Sequence, residues 1–328
     1  MFKIGDIKIE GKVVLAPMAG YTFYSYREFM NKFGTSFCYT EMVSDMGLIY
    51  DNENTKDYVI FPKGSVPTGV QLFGSEPENL AKAVEICERL NGDNIDFYDV
   101  NMACPVPKVT KTGAGSSLLK NPKKCGDIIR AMKEKTNKPI TAKIRLGWDK
   151  KSINYLEVIE ELEKAGVALI AIHARTAKDL YTGVPNYELL RDLRSKMNVP
   201  LVVSGNIFTD EDALNALKIT GADAVMVARG GVGNPNLISD INAALNGKEK
   251  HKPTLEEQIK YCLELAKAIV EEKGEETGIR IFRSIGPRFF TGFPNSKMIK
   301  NKICIETYRY EDLVKILDDY DDSFDTRL

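Results

Sequence analysis

The sequence predicts an α/β fold: a (β/α)8 TIM barrel followed by a small all-helical C-terminal domain. Three observations predict it. Short apolar runs alternate with longer amphipathic stretches through the first 245 residues. Runs that are apolar throughout, rather than at every second residue, suit parallel strands covered on both faces. They number eight, and eight strand–helix units in about 250 residues close a barrel. An open doubly wound sheet is the alternative. It expects G-x-G-x-x-G after the first strand, where Ala16-Pro-Met-Ala-Gly20 stands instead.

Residues 2–9 alternate around Gly5-Asp6 and read as a short hairpin. The strands follow at Val13–Ala16, Phe37–Thr40, Thr68–Phe73, Asp96–Asn101, Ile140–Arg145, Leu169–His173, Leu201–Ser204 and Ala224–Ala228. Helices are expected near 22–33, 44–50, 77–91, 122–136, 153–165, 186–196, 209–220 and 235–246. Pro77 and Asn121-Pro122 are start signals, and Thr209 before Asp210-Glu211 is a cap. The polar stretch Asn246–Pro253 reads as a linker, dividing a barrel of residues 1–245 from a helical unit of residues 254–328. Thr254 and Glu257 form a capping box for a helix of about 20 residues. Further helices are expected near 276–291, 295–305 and 310–319, and the aspartate-rich segment 318–325 is expected to fray.

Composition narrows the function classes. Lys+Arg total 45 against 46 Asp+Glu, so a strongly basic coat for nucleic acid is excluded, though a local basic face is not. No run approaches a membrane span and the N-terminus lacks signal-peptide character, so a cytoplasmic protein with reduced thiols is expected. The six cysteines form no C-x-x-C pair, and no metal site is expected.

Barrel chemistry sits where strands end. There the sequence places Pro17-Met18-Ala19, Gln71, Asn101 with Cys104, Lys143 with Arg145, His173 with Arg175, Ser204-Gly205-Asn206 and Ala228-Arg229. Gln71 could be a satisfied core amide, Lys143 part of an internal ion pair and His173 a core histidine. Cys104 differs from the other cysteines because it occupies a loop between a strand end and a Pro-Val-Pro turn. Glycines and an arginine after strands 7 and 8 suit a phosphate. With a lysine facing a ring they suit flavin mononucleotide (FMN), though spacing alone also admits a sugar phosphate.

The ordered set Ala16-Pro-Met-Ala-Gly20, Val70-Gln-Leu-Phe-Gly74, Asp99-Val-Asn-Met-Ala-Cys-Pro105 with Lys108-Val109, Lys143-Ile-Arg-Leu-Gly-Trp148, Ile172-His-Ala-Arg-Thr176 and Tyr181-Thr-Gly183 resembles the bacterial-type tRNA-dihydrouridine synthase family over about residues 12–305. The stretch Arg280–Ser296 resembles the start of that family's helical domain. The resemblance implies an FMN enzyme, reduced by NADPH, that saturates the C5–C6 bond of uridines in tRNA. It implies Pro17, Met18, Ala19, Gln71, Lys143 and His173 at FMN, Cys104 as general acid and Asn101 at the uracil. Ser204, Gly205, Asn206, Ala228 and Arg229 are assigned to the cofactor, although the family often has Asn-Gly-Asp and Gly-Arg at these two places. Arg145 and Arg175 are expected at the substrate.

Residues 279–305 carry six basic residues and no acid. Arg283, Arg288, Lys297 and Lys300 are therefore expected to contact RNA, with Phe282, Phe289, Phe290 and Phe293 interleaved. Domain packing is the other reading of those aromatics. No obligate protein partner is indicated. Two alternatives remain open: a flavin barrel acting on a small pyrimidine-like substrate, and an RNA-binding protein without catalysis. The basic annex argues against the first, and intact Cys104 and Lys143 argue against the second.

Overall fold

In the computed structural model, residues 1–325 are described. Eight parallel strands follow one another around a closed sheet: β1 (Val13–Leu15), β2 (Cys38–Ser44), β3 (Thr68–Phe73), β4 (Phe97–Asn101), β5 (Ile140–Arg145), β6 (Leu169–His173), β7 (Leu201–Ser204) and β8 (Ala224–Val227). Seven neighbouring pairs are joined by ladders, β8 with β1 among them, and the β2–β3 ladder shifts register between Tyr39 and Met42. The seam between β1 and β2 is thinner. It closes through a parallel bridge between Val14 and Phe37, with the Leu15 N–H donating to the Phe37 carbonyl at 3.3 Å and the Ser36 N–H to the Val13 carbonyl at 2.8 Å.

The two-residue period of each strand sorts the interior. Val14, Phe97, Leu169, Ala171, Val202, Ala224 and Met226 point inward and fill the lower barrel. The hairpin Phe2–Ile4 and Ile7–Ile9 plugs the bottom with Ile4 and Ile9. Phe37, Tyr39 and Phe97 meet edge to face at 5.5–5.8 Å. Gly69 makes this possible, since a Cβ there would lie 2.2 Å from the Phe97 ring. One or two residues further along each strand the interior turns polar, at Gln71, Asp99, Thr141, Lys143 and His173.

The outward residues pack under α1 (Tyr24–Asn31), α2 (Pro77–Asn91), α3 (Pro122–Lys133), α4 (Tyr155–Lys164), α5 (Asp210–Thr220) and α6 (Asn236–Leu245). Proline sits in the first turn of α2 and α3 as expected, and Thr209 caps α5 in a full capping box with Asp212. The expected helix at 44–50 is the five-residue Asp45–Ile49. The expected helix at 186–196 does not form. Two 3₁₀ turns, Tyr187–Leu190 and Leu193–Lys196, replace it, separated by Asp192 at φ +53°, a left-handed conformation that stops helix propagation.

The C-terminal unit contains α7 (Leu255–Lys273), opened by the Thr254–Glu257 capping box, then α8 (Glu275–Phe282), the 3₁₀ turn Gly286–Phe290, α9 (Ser296–Glu306) and α10 (Tyr310–Asp325). The segment 318–325, expected to fray, continues α10. The unit is not tethered loosely. Phe33 meets Tyr261 at 5.1 Å, Phe29 meets Phe289 at 6.2 Å, and the Ser25 N–H donates to Glu272 at 2.6 Å. Its buried side chains belong to the same apolar cluster as the barrel's outer layer.

Candidate active site

A cavity of about 590 Å³ opens at the C-terminal ends of the strands, within the usual size range of a small-molecule site. The sheet register explains its lining. Met42 is level with Gln71, Gln71 with Asp99, Asn101 with Lys143, Arg145 with His173, and His173 with Ser204. Residues far apart in sequence therefore share one rim. Every residue expected at the cofactor lines it: Pro17, Met18, Ala19, Gln71, Lys143, His173, Ser204, Gly205, Asn206, Ala228 and Arg229. Asn101, Cys104, Arg145 and Arg175 do so as well.

The lining holds five cationic residues, Lys108, Lys143, Arg145, Arg175 and Arg229, and no carboxylate. The Lys143 ammonium has neither a hydrogen bond nor an ion pair among the described residues, which removes the internal ion pair as its explanation. Burial, with Arg145 beside it, lowers its pKa from 10.5 to about 8. His173 is buried among cations. Loss of hydration, then Lys143 and the three arginines, push its pKa well below the usual value, so the ring is neutral near pH 7.

Gln71 is held from both sides, its Nε2 donating to Asp99 Oδ2 at 2.7 Å and its Oε1 accepting from Asn101 Nδ2 at 2.8 Å. Asn101 Oδ1 accepts from the backbone N–H groups of Ala103 at 3.1 Å and Cys104 at 2.8 Å. The Cys104 carbonyl accepts from the N–H and the hydroxyl of Ser116, each at 3.0 Å. Cys104 is thus fixed at the cavity wall by its backbone, with the side chain at the cavity lining. Burial raises the thiol pKa, so it stays protonated at neutral pH.

Arg145 is 1% exposed, and its guanidinium donates to the carbonyls of Ala103, Thr176 and Leu180, each at 2.8 Å. Its donors are largely spent on the strand-end loops. Arg175 similarly binds the carbonyls of Thr182 and Gly183 and, at 3.0 Å, Asn206 Oδ1. Both arginines shape the rim.

The family model described as dihydrouridine synthase (Dus) matches residues 14–317. The chain belongs to the dihydrouridine synthase family. It is 32% identical over 305 residues to a protein of Rickettsia conorii named probable tRNA-dihydrouridine synthase, covering 92% of this chain and 91% of that one. A protein of Aquifex aeolicus with the same name is 32% identical over 316 residues, with 94% and 96% covered. The tRNA-dihydrouridine synthase B of Vibrio vulnificus is 33% identical over 282 residues, with 86% and 87% covered.

The four basic residues expected at RNA differ in setting. Arg288 and Lys297 are exposed. Lys300 is half-buried and donates to Thr291 Oγ1 at 2.9 Å. Lys297 and Lys300 line a shallow hollow with Asn295, Met298, Asn301 and Cys304. Arg283 instead donates to the Thr307 carbonyl at 2.7 Å and stacks on Tyr308 at 5.0 Å, so it braces the annex internally. Phe282, Phe289 and Phe290 are buried and cannot stack on bases, so packing is the correct reading of these aromatics.

Sequence reasoning gave no site role to three site-forming residues, although Tyr181 and Asp99 stand in the motifs quoted above. Tyr181, left in the loop after β6, lies with its ring 5.0 Å from Arg229 and 5.4 Å from Arg145. Glu41, on the unforeseen extension of β2, accepts from the Gly20 N–H and so holds the Pro17–Gly20 loop. Asp99 is fully buried, inside the apolar run of β4. Its position two residues before Asn101 was the available signal, since residues two apart share a face of a strand.

Proposed function

We infer that this protein reduces the C5–C6 double bond of uridines in tRNA, with FMN as the resident cofactor and NADPH as its reductant. The observation that carries the reading is the cavity's charge: five cations in the lining, no carboxylate, and one ammonium with neither hydrogen bond nor ion pair. Asp99 acts on Lys143 only through space, without an ion pair; a buried lysine left so is costly, and a phosphorylated, electron-rich ring supplies further negative charge.

The residues present fit FMN. Lys143 would lie against the ring, with Gln71 and neutral His173 beside it. Arg229, with the backbone at Gly205 and Gly230, would take the phosphate. The Pro17–Ala19 backbone would border the ring. FMN, when bound, supplies the hydride for uridine C6. The chain's own residues handle the rest. The rim and annex hold the RNA, and a uridine must leave its stack to reach the cavity. The second amide hydrogen of Asn101, which faces Met42 Sδ at 3.7 Å, would be given to the base. Cys104 holds the proton destined for C5, and its raised pKa keeps that proton in place until negative charge develops nearby.

Family membership and the names of the relatives support tRNA over a small pyrimidine, and so does the exposed basic face of the annex. The test is Cys104→Ala. It should retain FMN, be reduced by NADPH and bind tRNA, while anaerobic single-turnover reduction of tRNA falls about 10²–10⁴-fold, as on removal of a general acid. Wild-type dihydrouridine formation by this variant would refute the assignment of the proton to Cys104.

A further inference from the structure

We propose that Asp99 is a positioning residue: as a buried acceptor it fixes the amide orientation of Gln71 and Asn101, and through them holds the Ala103–Cys104 backbone at the cavity wall. The proposal rests on reading Cys104 as the acid, but its central observable does not depend on that reading.

The argument is one of hydrogen-bond polarity. Each primary amide has one accepting and one donating end, and can turn over. At one end of the chain stands Asp99, 0% exposed. Burial raises its carboxyl pKa to about 6, against the opposing hydrogen bonds from Thr141 and Gln71 and the charge of Lys143, so at pH 7 the carboxylate is ionised and only accepts. Its Oδ1 takes Thr141 Oγ1 at 2.5 Å, and its Oδ2 takes Gln71 Nε2 at 2.7 Å. The nitrogen of Gln71 must therefore face Asp99, which turns Oε1 toward Asn101. Asn101 must then present Nδ2 to Gln71, at 2.8 Å, and Oδ1 to the far end. At that end stand two backbone N–H groups, of Ala103 and Cys104, which only donate. Two ends of fixed and opposite character thus demand the same orientation of both amides. The chain crosses from β4 to β3 and back to the loop after β4, so it links the polar layer of the barrel to the loop that bears the thiol. Without the acceptor at 99, Gln71 is free to turn, and a turned Gln71 sets its NH2 group against that of Asn101, which loses its acceptor and is then held only by the two backbone N–H groups.

The test is hydrogen–deuterium exchange of the peptide spanning residues 101–106 in the full-length protein. Asp99→Leu should speed exchange of the Ala103 and Cys104 amides about three- to tenfold, consistent with weakening one or two hydrogen bonds. Exchange in the annex helix Ser296–Glu306 should not change. Asp99→Asn should stay near wild type, because its Nδ2 can donate to Thr141 Oγ1 while its Oδ1 still accepts from Gln71. Single-turnover uridine reduction should fall in Asp99→Leu with unchanged tRNA affinity, and recover in Asp99→Asn. Wild-type protection in Asp99→Leu, or Asp99→Asn exchanging as fast as Asp99→Leu, would overturn the proposal. If Asp99→Leu does not fold, Gln71→Leu cuts the same chain at its middle and is read by the same exchange. A Cys104→Ala variant that still makes dihydrouridine would remove the acid assignment and leave the exchange result standing, so the two failures are separable.

Discussion

Replacing Lys143 by Met should make the FMN-free protein more stable at pH 7 and, at the same time, a poorer receptor for FMN. The Lys143 ammonium has no hydrogen-bond or ion-pair partner among the described residues, and its pKa falls from 10.5 to about 8 on folding, chiefly through burial. A drop of about 2.5 units corresponds to roughly 3 kcal/mol against the charged form. Solvent reaches this side chain through the cavity mouth, so that figure is an upper bound. The sign follows from proton binding. Between pH 8 and 10.5 the unfolded chain holds the lysine proton and the folded chain releases it, so stability rises with pH across that window. Below about pH 8 the penalty is fully present. Urea unfolding of FMN-free wild type and Lys143→Met should therefore show the variant ahead by up to about 3 kcal/mol at pH 7. The gap should narrow as pH climbs through 8 toward 10.5. FMN titration should show the opposite ranking, with weaker binding by the variant. A variant that is less stable at pH 7, or that binds FMN as wild type does, would refute the argument that this charge is held in readiness for an anion.

Alanine at Arg288, Lys297 and Lys300 together should flatten the salt dependence of tRNA binding, by about 0.7–0.9 units of log–log slope for each phosphate no longer neutralised. NADPH oxidation without tRNA should persist, and an unchanged slope would move the RNA surface elsewhere. Arg283→Ala should instead lower the melting temperature, because it removes the bond to the Thr307 carbonyl; a stable variant with weakened tRNA binding would reverse that assignment. Phe289→Ala, where the annex packs on α1, should cost about 3–5 kcal/mol in urea unfolding. A cost below about 1 kcal/mol would mean that the annex is not anchored there.

The strand ends were legible because chemistry interrupts an apolar run there. Gln71, Lys143 and His173 are conspicuous on continuous hydrophobic strands, and all of them line the cavity. Glu41 was not legible for the same reason inverted. A charged residue inside β2 looked like the end of the strand, whereas the strand continues to Ser44 with Glu41 7% exposed. The segment 186–196 has helix-forming residues, but the left-handed Asp192, whose N–H donates to the Ile219 carbonyl at 3.0 Å, breaks it into two turns. Local propensity carries no information about that distant partner. The annex phenylalanines lie among arginines in sequence, yet a 3₁₀ turn and a helix direct three of them inward and Arg288 outward. What a run of residues does depends on which face is covered, and that is decided by α1 and α7.

The continuous apolar cluster across α1 and α7 has a consequence for how such enzymes can diversify. A module joined by a flexible linker can be exchanged by recombination at the linker alone. Here a crossover in the 246–253 segment would separate Phe289 from Phe29 and Tyr261 from Phe33, leaving two mismatched apolar faces. The unit that must be inherited together is therefore larger than the annex. It includes the first barrel helix, far earlier in the chain, and a chimera that carries α1 along with the annex should be recovered in folded form where the annex alone is not.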